Sequence, residues 1–357
     1  MAHYPPKQNK DLGERKTPIE YSTGVFHFKW SPFLSLCFTT IFLFVLIGCE
    51  KKVETPDWDT STSRSQTEDK LGSPEVRPSS PPTLTSISKG DSSASLRFVC
   101  YNLRNYLTMR RGSEEKFKPE NEVSAIISNI VRANPDILGI CEIGTQKDLN
   151  HLQTRLKEAG CELPYTYLSL GSDPYRRQAL LSRYPISSHK VPKYTYRMRG
   201  ETHVVRRGIL DATVTTPKGD IRLLGAHLKS KRPMATYDQA EVRKEEAMIL
   251  RKHASTILSE STHKLLVFGD MNDTKGSHTI RLMRGSKDQK LTSIELFDKH
   301  GTKWTQYWAK EDIYSRFDYV FASKALLPII DRQRSYVLDT PPGDPASDHR
   351  ALVIIIK

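Results

Sequence analysis

Several side chains that can hold a metal ion or carry a proton stand at the ends of apolar segments. They are Asn102, Glu142, His227, Asp270, Asn272, Asp318, Asp348 and His349. Taken singly, each is an ordinary turn former or cap. Carboxylate and amide oxygens that converge at one sheet edge favour Mg²⁺ or Mn²⁺ over zinc. The two histidines add proton transfer near neutral pH. Together these residues predict a site that combines a hard cation with proton transfer.

The apolar segments that carry these residues alternate with amphipathic helices from residue 96 onward. Apolar runs predict strands over 96–103, 136–143, 179–182, 209–215, 221–227, 265–269, 317–322 and 351–356. Helical spacing predicts helices over 120–133, 147–159 and 238–259. Asn134-Pro135 and Gly160 are expected to end the first two helices. Most of the candidate residues therefore lie at strand ends, where side chains from different strands meet.

This ordered set resembles the endonuclease/exonuclease/phosphatase superfamily. That group includes deoxyribonucleases, abasic-site endonucleases, bacterial sphingomyelinases and inositol-polyphosphate phosphatases. The resemblance covers residues 96–357 and is carried most specifically by YNLRNY, GDMND and SDHRALV. It implies a four-layer α/β sandwich, with two mostly antiparallel sheets face to face and helices outside. It also implies a phosphodiesterase that depends on Mg²⁺ (or Mn²⁺), with its active site at one end of the sandwich.

The resemblance assigns roles on the metal and water side of the site. Glu142 matches the principal metal ligand, and Asn102 matches a residue that helps to hold both the metal and the scissile phosphate. Asp348 is placed on the metal side. Asp270 matches the aspartate that orients or deprotonates the attacking water, and Asn272 contacts the phosphate beside it.

The two histidines receive different roles from the same resemblance. His349 matches the phosphate-facing histidine, and Asp318 matches the carboxylate that orients it. Such a pair fixes the ring and raises its basicity. His227 matches the second histidine of the deoxyribonuclease branch and is a candidate general acid for the leaving oxygen.

Basic residues around the candidate site favour a polyanionic substrate. Arg104 and Arg177 match arginines that contact the nucleic-acid backbone in the deoxyribonuclease branch, and Lys229 closely follows His227. The formal net charge is +13, and the whole excess lies after residue 95. Basic loops supply the sequence-independent part of nucleic-acid affinity. We therefore expect a nucleic-acid substrate, no protein partner and a monomer.

Two other kinds of function remain open at the level of sequence. One is a sphingomyelinase-like or inositol-phosphate phosphohydrolase, which would use the same residues on a different phosphate ester. The other is a tethered binding module that kept the fold and lost catalysis, since a fold does not establish an activity. Metal-dependent turnover separates an enzyme from a binding module.

The N-terminal segment, residues 1–49, resembles the export signal of a bacterial lipoprotein. Its apolar run, 33–48, is shorter than the roughly 20 residues of a transmembrane helix. Leu46-Ile47-Gly48-Cys49 resembles a lipobox, which predicts lipidation of Cys49. The long stretch before the run leaves open a start at Val25 or an uncleaved anchor. We expect an exported protein that is tethered to a membrane at the cell envelope.

Composition divides the rest of the chain into two parts. Residues 50–95 are rich in Ser, Thr and Pro and lack apolar periodicity, so we expect a disordered tether. Residues 96–357 form the expected catalytic domain. Among the five cysteines, Cys100 and Cys141 fall in predicted core strands, and no CxxC spacing occurs. The pattern indicates neither a disulfide framework nor a zinc site.

Overall fold

The computed structural model describes residues 95–260, 263–286 and 289–357. The predicted signal, Cys49 and nearly all of the predicted tether lie outside them. The strands of the described residues are β1 (Leu96–Tyr106), β2 (Met109–Arg111), β3 (Glu114–Lys116), β4 (Ile137–Ile143), β5 (Tyr165–Leu168), β6 (Arg177–Ser182), β7 (Ile186–Ser188), β8 (Thr195–Met198), β9 (Glu201–Val204), β10 (Ile209–Thr216), β11 (Gly219–His227), β12 (Leu265–Asp270), β13 (Leu291–Ser293), β14 (Gln306–Trp308), β15 (Ile313–Ser315), β16 (Asp318–Ser323), β17 (Ile330–Val337) and β18 (Leu352–Ile356). Their helices are α1 (Glu120–Ala133), α2 (Gln146–Glu158), α3 (Gln239–Glu260) and α4 (His278–Arg284).

Two large sheets organise the described part of the chain. The first sheet has the strand order β17-β18-β1-β4-β6-β5, and the second has the order β13-β16-β12-β11-β10-β7. The β1–β4 and β11–β12 pairs are parallel, and all other neighbours in these two sheets are antiparallel. The hairpins β2–β3, β8–β9 and β14–β15 form small sheets of their own.

Alternation along the strands explains why the two sheets pack face to face. In β1, Phe98 and Cys100 belong to the core between the sheets, whereas Val99 and Tyr101 belong to the core under α1 and α2. Successive side chains of a strand point to opposite faces, so one strand serves both cores. The same alternation holds in β12, where Phe268 enters the space between the sheets.

The helices cover the outer faces of the two sheets. Apolar residues of α1 and α2 join the outer core of the first sheet, and those of α3 and α4 join the outer core of the second. The layers therefore run helix, sheet, sheet, helix. The expected four-layer sandwich of two mostly antiparallel sheets is confirmed.

The predicted element boundaries agree closely with the structure. Each predicted strand is present with ends within a few residues, and α1 ends at Ala133, where Asn134 is left-handed with φ 47°. Cys100 and Cys141 are buried and free, as expected, and so is Cys161. No helix in the described ranges is both long and apolar enough to cross a membrane.

Candidate active site

One row of residues crosses the end of the second sheet in regular register. His227 pairs with Asp270 across β11 and β12, and Asp270 pairs with Asp318 across β12 and β16. Residues directly opposite each other in neighbouring strands share a face. In β12, Asp270 lies on the same face as Phe268, which is in the core between the sheets. The row therefore faces the gap between the sheets, at its edge.

A hydrogen-bonded acid–imidazole pair joins this row to the segment before β18. His349 Nδ1 lies 2.7 Å from Asp318 Oδ2, and both side chains are buried. Burial opposes the imidazolium, but Asp318, Asp348 and Asp270 outweigh it and hold the pKa of His349 well above its usual value. His349 is therefore a buried cation at neutral pH, oriented by Asp318.

The carboxyl group of Asp270 is the centre of the site. Its Oδ2 accepts a hydrogen bond from Asn102 Nδ2 at 3.1 Å, and its Oδ1 accepts one from the Asn272 amide at 2.8 Å. Burial, opposed by His349 and assisted by Asp318, raises its pKa from 3.8 to about 7. A carboxylate with a pKa near 7 is suited to accept a proton at neutral pH.

His227 lies between the two sheets in a neutral state. Its Nε2 is 3.5 Å from Asp270 Oδ2 and 3.7 Å from Glu142 Oε1. Burial, helped by the charges of Arg207, His349 and Arg176, holds its pKa well below 6.5. One ring nitrogen therefore carries a proton and the other accepts one at pH 7.

Glu142 reaches the site because the backbone departs from regular β structure. By alternation it would face the outer core with Leu138 and Ile140. Instead it adopts φ 64°, at a bulge where the β1–β4 register shifts. Non-glycine residues in this region cost roughly 1–3 kcal/mol and cluster at functional sites. Its carboxylate accepts the amide hydrogen of Asn105 at 2.9 Å and meets His227 of the second sheet.

The donor atoms fit a divalent cation of the hard type. Asp270, Asp318 and His349 offer three ligand atoms that lie within 4.8 Å of one another. Because His349 Nδ1 is already hydrogen-bonded to Asp318 Oδ2 at 2.7 Å, we assign these two as an acid–imidazole pair instead. Glu142 Oε1 has no hydrogen bond in the described residues and is an oxygen that suits Mg²⁺ or Mn²⁺. Asn102, which is bonded to Asp270, and Asp348, which lies beside Arg104, carry further oxygens.

Asn102, Asn272 and Asp348 have partners that define their places. Asn102 Oδ1 accepts the Arg104 amide at 3.0 Å, so Asn102 is fixed at both ends of its amide. Asn272 donates its side-chain amide to Leu228 O at 3.0 Å. Asp348 lies at the rim, where Gln306 Nε2 donates to its Oδ2 at 3.2 Å.

The three predicted substrate-binding cations occupy different places. Arg104 is about half exposed and lies 3.8 Å from Asp348, at the mouth of the site. Arg177 donates to Gly144 O at 2.9 Å, in the loop after β4. Lys229 folds back onto its own loop, with Nζ 3.3 Å from Ser230 O. The structure thus brings Arg104 to the site and turns the side chains of the other two to backbone groups.

Two other arginines approach the site, and sequence reasoning did not select them. Arg176 donates to Asn105 Oδ1 at 2.7 Å and lies 3.8 Å from Glu142. Arg207 donates at 2.8 Å to the carbonyl oxygen of Leu228, the residue directly after His227. The Arg176-Arg177 pair was visible in the sequence. Only the register of β6, which starts at Arg177, decides which of the two faces Glu142.

Supporting hydroxyl groups were also missed. Thr305 Oγ1 accepts the amides of Phe317 and Asp318, both at 3.0 Å. Ser347 Oγ donates to Asn102 O at 2.8 Å and accepts the His349 amide at 3.0 Å. Thr305 carried no signal in the sequence, because it is distant along the chain from the residues that it holds.

The layered fold and this site are typical of two-sheet hydrolases that act on phosphate esters. A family model described as "Endonuclease/Exonuclease/phosphatase family" matches residues 100–349, and the chain belongs to that family. The resemblance inferred from the motifs is confirmed. No curated protein matches the chain.

Solved structures share the fold at low sequence identity. Beta toxin from Staphylococcus aureus has a TM-score of 0.52 and 16% identity, covering 73% of this chain and 100% of that one. A family protein from Leptotrichia buccalis has a TM-score of 0.50 and 16% identity, covering 73% and 99%. TDP2 from Caenorhabditis elegans has a TM-score of 0.50 and 15% identity, covering 73% and 75%. At such identities these likenesses establish the fold alone.

Proposed function

We propose that this protein is a metal-dependent phosphodiesterase that hydrolyses nucleic-acid phosphodiester bonds outside the cytoplasm. The observation that carries the proposal is the position of Asp270 Oδ2, which lies 3.5 Å from His227 Nε2 in the same sheet and 3.7 Å from His349 Nε2 of the segment before β18. These three groups differ in protonation state at neutral pH, as a base, a cation and a neutral imidazole. Such a set suits displacement at a phosphate.

The proposed reaction uses each group in its stated protonation state. Water attacks the phosphorus atom and Asp270 accepts its proton. His349, held by Asp318, donates a hydrogen bond to a phosphate oxygen as negative charge grows there. His227 donates a hydrogen bond from its ring N–H to the leaving oxygen and keeps its proton, and the leaving oxygen takes a proton from solvent as the P–O bond breaks. Glu142 and Asn102 would hold a divalent cation, which when bound would supply positive charge at the same phosphate.

The charge of the rim supports nucleic acid over a choline phospholipid. Arg104, Arg176 and Arg207 all approach the site, and Lys231 lies 5.3 Å from the ring of Phe317. Cations on several sides suit a chain of phosphates. They repel the quaternary ammonium group of a phosphocholine head.

A lipid substrate is the second candidate, and one surface feature favours it. The β14–β15 hairpin exposes Ile313 and Tyr314 and is bonded to the site through Tyr307 N and Asp348 O at 2.8 Å. Exposed apolar groups beside a site can contact lipid. The hairpin turn carries Lys310, Glu311 and Asp312, whose charges oppose insertion into a membrane.

The N-terminal signal completes the proposal. We propose export through residues 1–49 and attachment of the mature protein to the cell envelope through a lipid on Cys49. Labelling with a radioactive fatty acid tests this part. Label that persists in Cys49→Ser protein would rule the lipid anchor out.

Plasmid nicking is the direct test of the proposed activity. We expect the purified chain to nick supercoiled plasmid with Mg²⁺ or Mn²⁺, and neither the EDTA-treated chain nor His349→Ala to do so. Wild-type protein that cleaves sphingomyelin and leaves plasmid intact would favour the lipid candidate. Binding of DNA without hydrolysis of any phosphodiester would indicate a binding module.

A further inference from the structure

The end of β1 contains a strained turn that faces Glu142. Arg104 and Asn105 are consecutive non-glycine residues with φ 47° and 60°. Three β1 residues lie between the pairs Asn102–Cys141 and Tyr106–Ile143, opposite the single residue Glu142. Such a conformation persists only where its surroundings hold it in place.

Three cationic side chains from separate elements hold this turn. Lys118 Nζ donates to Arg104 O at 2.8 Å, and Arg111 Nη2 donates to Asn105 O at 3.1 Å. Arg176 Nε donates to the Asn105 side chain at 2.7 Å. The backbone carbonyl groups of Arg104 and Asn105 and the side-chain oxygen of Asn105 therefore each accept a hydrogen bond from a cation. The backbone N–H of Asn105 donates to Glu142 Oε2 at 2.9 Å.

Lys118 stands out in this group because it is wholly buried. Its side chain is 0% exposed, and its only ion pair in the described residues is with Glu122, 2.9 Å away. Burial lowers its pKa, partly compensated by Glu122. A buried ion pair is weak evidence for stability, since an apolar side chain of similar volume often serves the fold equally well. The buried ammonium therefore points to a role beyond packing.

We infer that Lys118 is a positioning residue for Glu142, acting through the Arg104–Asn105 turn. The ammonium group holds the Arg104 carbonyl, the turn keeps the Asn105 amide in place, and that amide fixes the Glu142 carboxylate. The consequence for metal affinity rests on the proposed function, in which Glu142 is a ligand. The predicted effect of Lys118 on the conformation of the Arg104–Asn105 turn does not depend on the proposed function.

The first test measures the turn itself in the full-length chain. Lys118→Met keeps the length of the side chain and removes its charge. We expect amide exchange of the peptide spanning residues 103–107 to become at least about tenfold faster than in wild type. Lys116→Met, an exposed lysine two residues away, is the matched control and should leave this exchange unchanged. Equal exchange in the two variants would overturn the inference.

The second test asks whether the effect passes through Glu142. Mn²⁺ binding is measured by electron paramagnetic resonance without substrate. We expect Lys118→Met to weaken binding by at least about tenfold, as supporting residues of metal ligands do. In a Glu142→Gln background, adding Lys118→Met should change binding little. An equal loss in both backgrounds would show that Lys118 acts elsewhere and overturn the inference.

The two tests also separate this inference from the proposed function. Wild-type protein that binds no Mn²⁺ and cleaves no substrate would refute the proposed function, while amide exchange would still decide the role of Lys118 in the turn. Thermal unfolding guards against loss of the fold. If Lys118→Met is unstable, Lys118→Met/Glu122→Gln removes both charges, and the same exchange comparison applies to it.

Discussion

The two sheets build their halves of the site in different ways. The second sheet supplies His227, Asp270 and Asp318 from three strands that pair without a register shift. The first sheet supplies Glu142 through a bulge with left-handed residues and capping cations. A regular row places three side chains at once, whereas a bulge can aim one side chain against the alternation of its strand. The row of reactive groups therefore comes from strands paired in register, His349 comes from the segment before β18, and the candidate ligand comes from a bulge.

The largest expected effect lies in the regular half. Asp270→Asn removes the proposed base and keeps the shape, so we expect kcat/KM to fall by about 10²–10⁴-fold. In wild type, Asp270 must be ionised to accept a proton, so kcat/KM should rise about tenfold per pH unit up to its pKa of about 7. Values of kcat/KM measured from pH 5 to 9 test this rise on the acidic side of the pH profile.

Asp220→Asn is the control for this prediction, because Asp220 is exposed near the opposite end of β11. It should keep both rate and profile. An Asp270→Asn variant with wild-type turnover would remove Asp270 from the mechanism and leave the regular row with a structural role only.

A smaller effect is expected in the irregular half, where two adjacent arginines can be compared. Arg176 contacts both the turn and Glu142, whereas Arg177 bonds a backbone carbonyl in the loop after β4. We expect Arg176→Met to lower kcat/KM by about 10–100-fold, in the range of residues that support a metal ligand. Arg177→Met should change it only a few-fold. Steady-state kinetics on one oligonucleotide would show the reverse order if β6 were shifted by one residue.

The smallest effect on catalysis is expected at Glu246, which supports the loop after His227. Its Oε2 accepts the Lys229 amide at 2.7 Å, and burial raises its pKa from 4.5 to about 7. The folded state thus holds the proton more tightly. The stability that this provides is full below pH 4.5 and is lost as pH rises through 7, by about 3 kcal/mol in all.

Glu246→Gln keeps an acceptor and cannot ionise, so its free energy of unfolding should fall less than that of wild type between pH 5 and 8. Urea unfolding at the two pH values measures the difference. Glu260→Gln changes an exposed carboxylate of the same helix and should follow wild type. Parallel pH dependence of all three proteins would contradict the assigned burial effect.

Sequence reasoning reached the regular half of the site and much less of the irregular half. Alternation places Asp270 on the same strand face as Phe268, so its direction follows from the pattern. The same rule sends Glu142 to the wrong face, so its place in the candidate set came from its position at a strand end and from the family resemblance, and not from alternation. Thr305 and Lys118 were not found, because they act through backbone groups distant along the chain.

Three contacts that assemble the site join the first sheet, or the segment that leads into its strand β18, to the second sheet. They are Asn102–Asp270, His349–Asp318 and His227–Glu142. The turnover rate should therefore depend on the distance between the two sheets. Gly139 shows how finely that spacing is set, since a Cβ there would lie 2.4 Å from the ring of Phe268. Substitutions between the two sheets, such as at Gly139, should change the turnover rate even though all the reactive side chains are present.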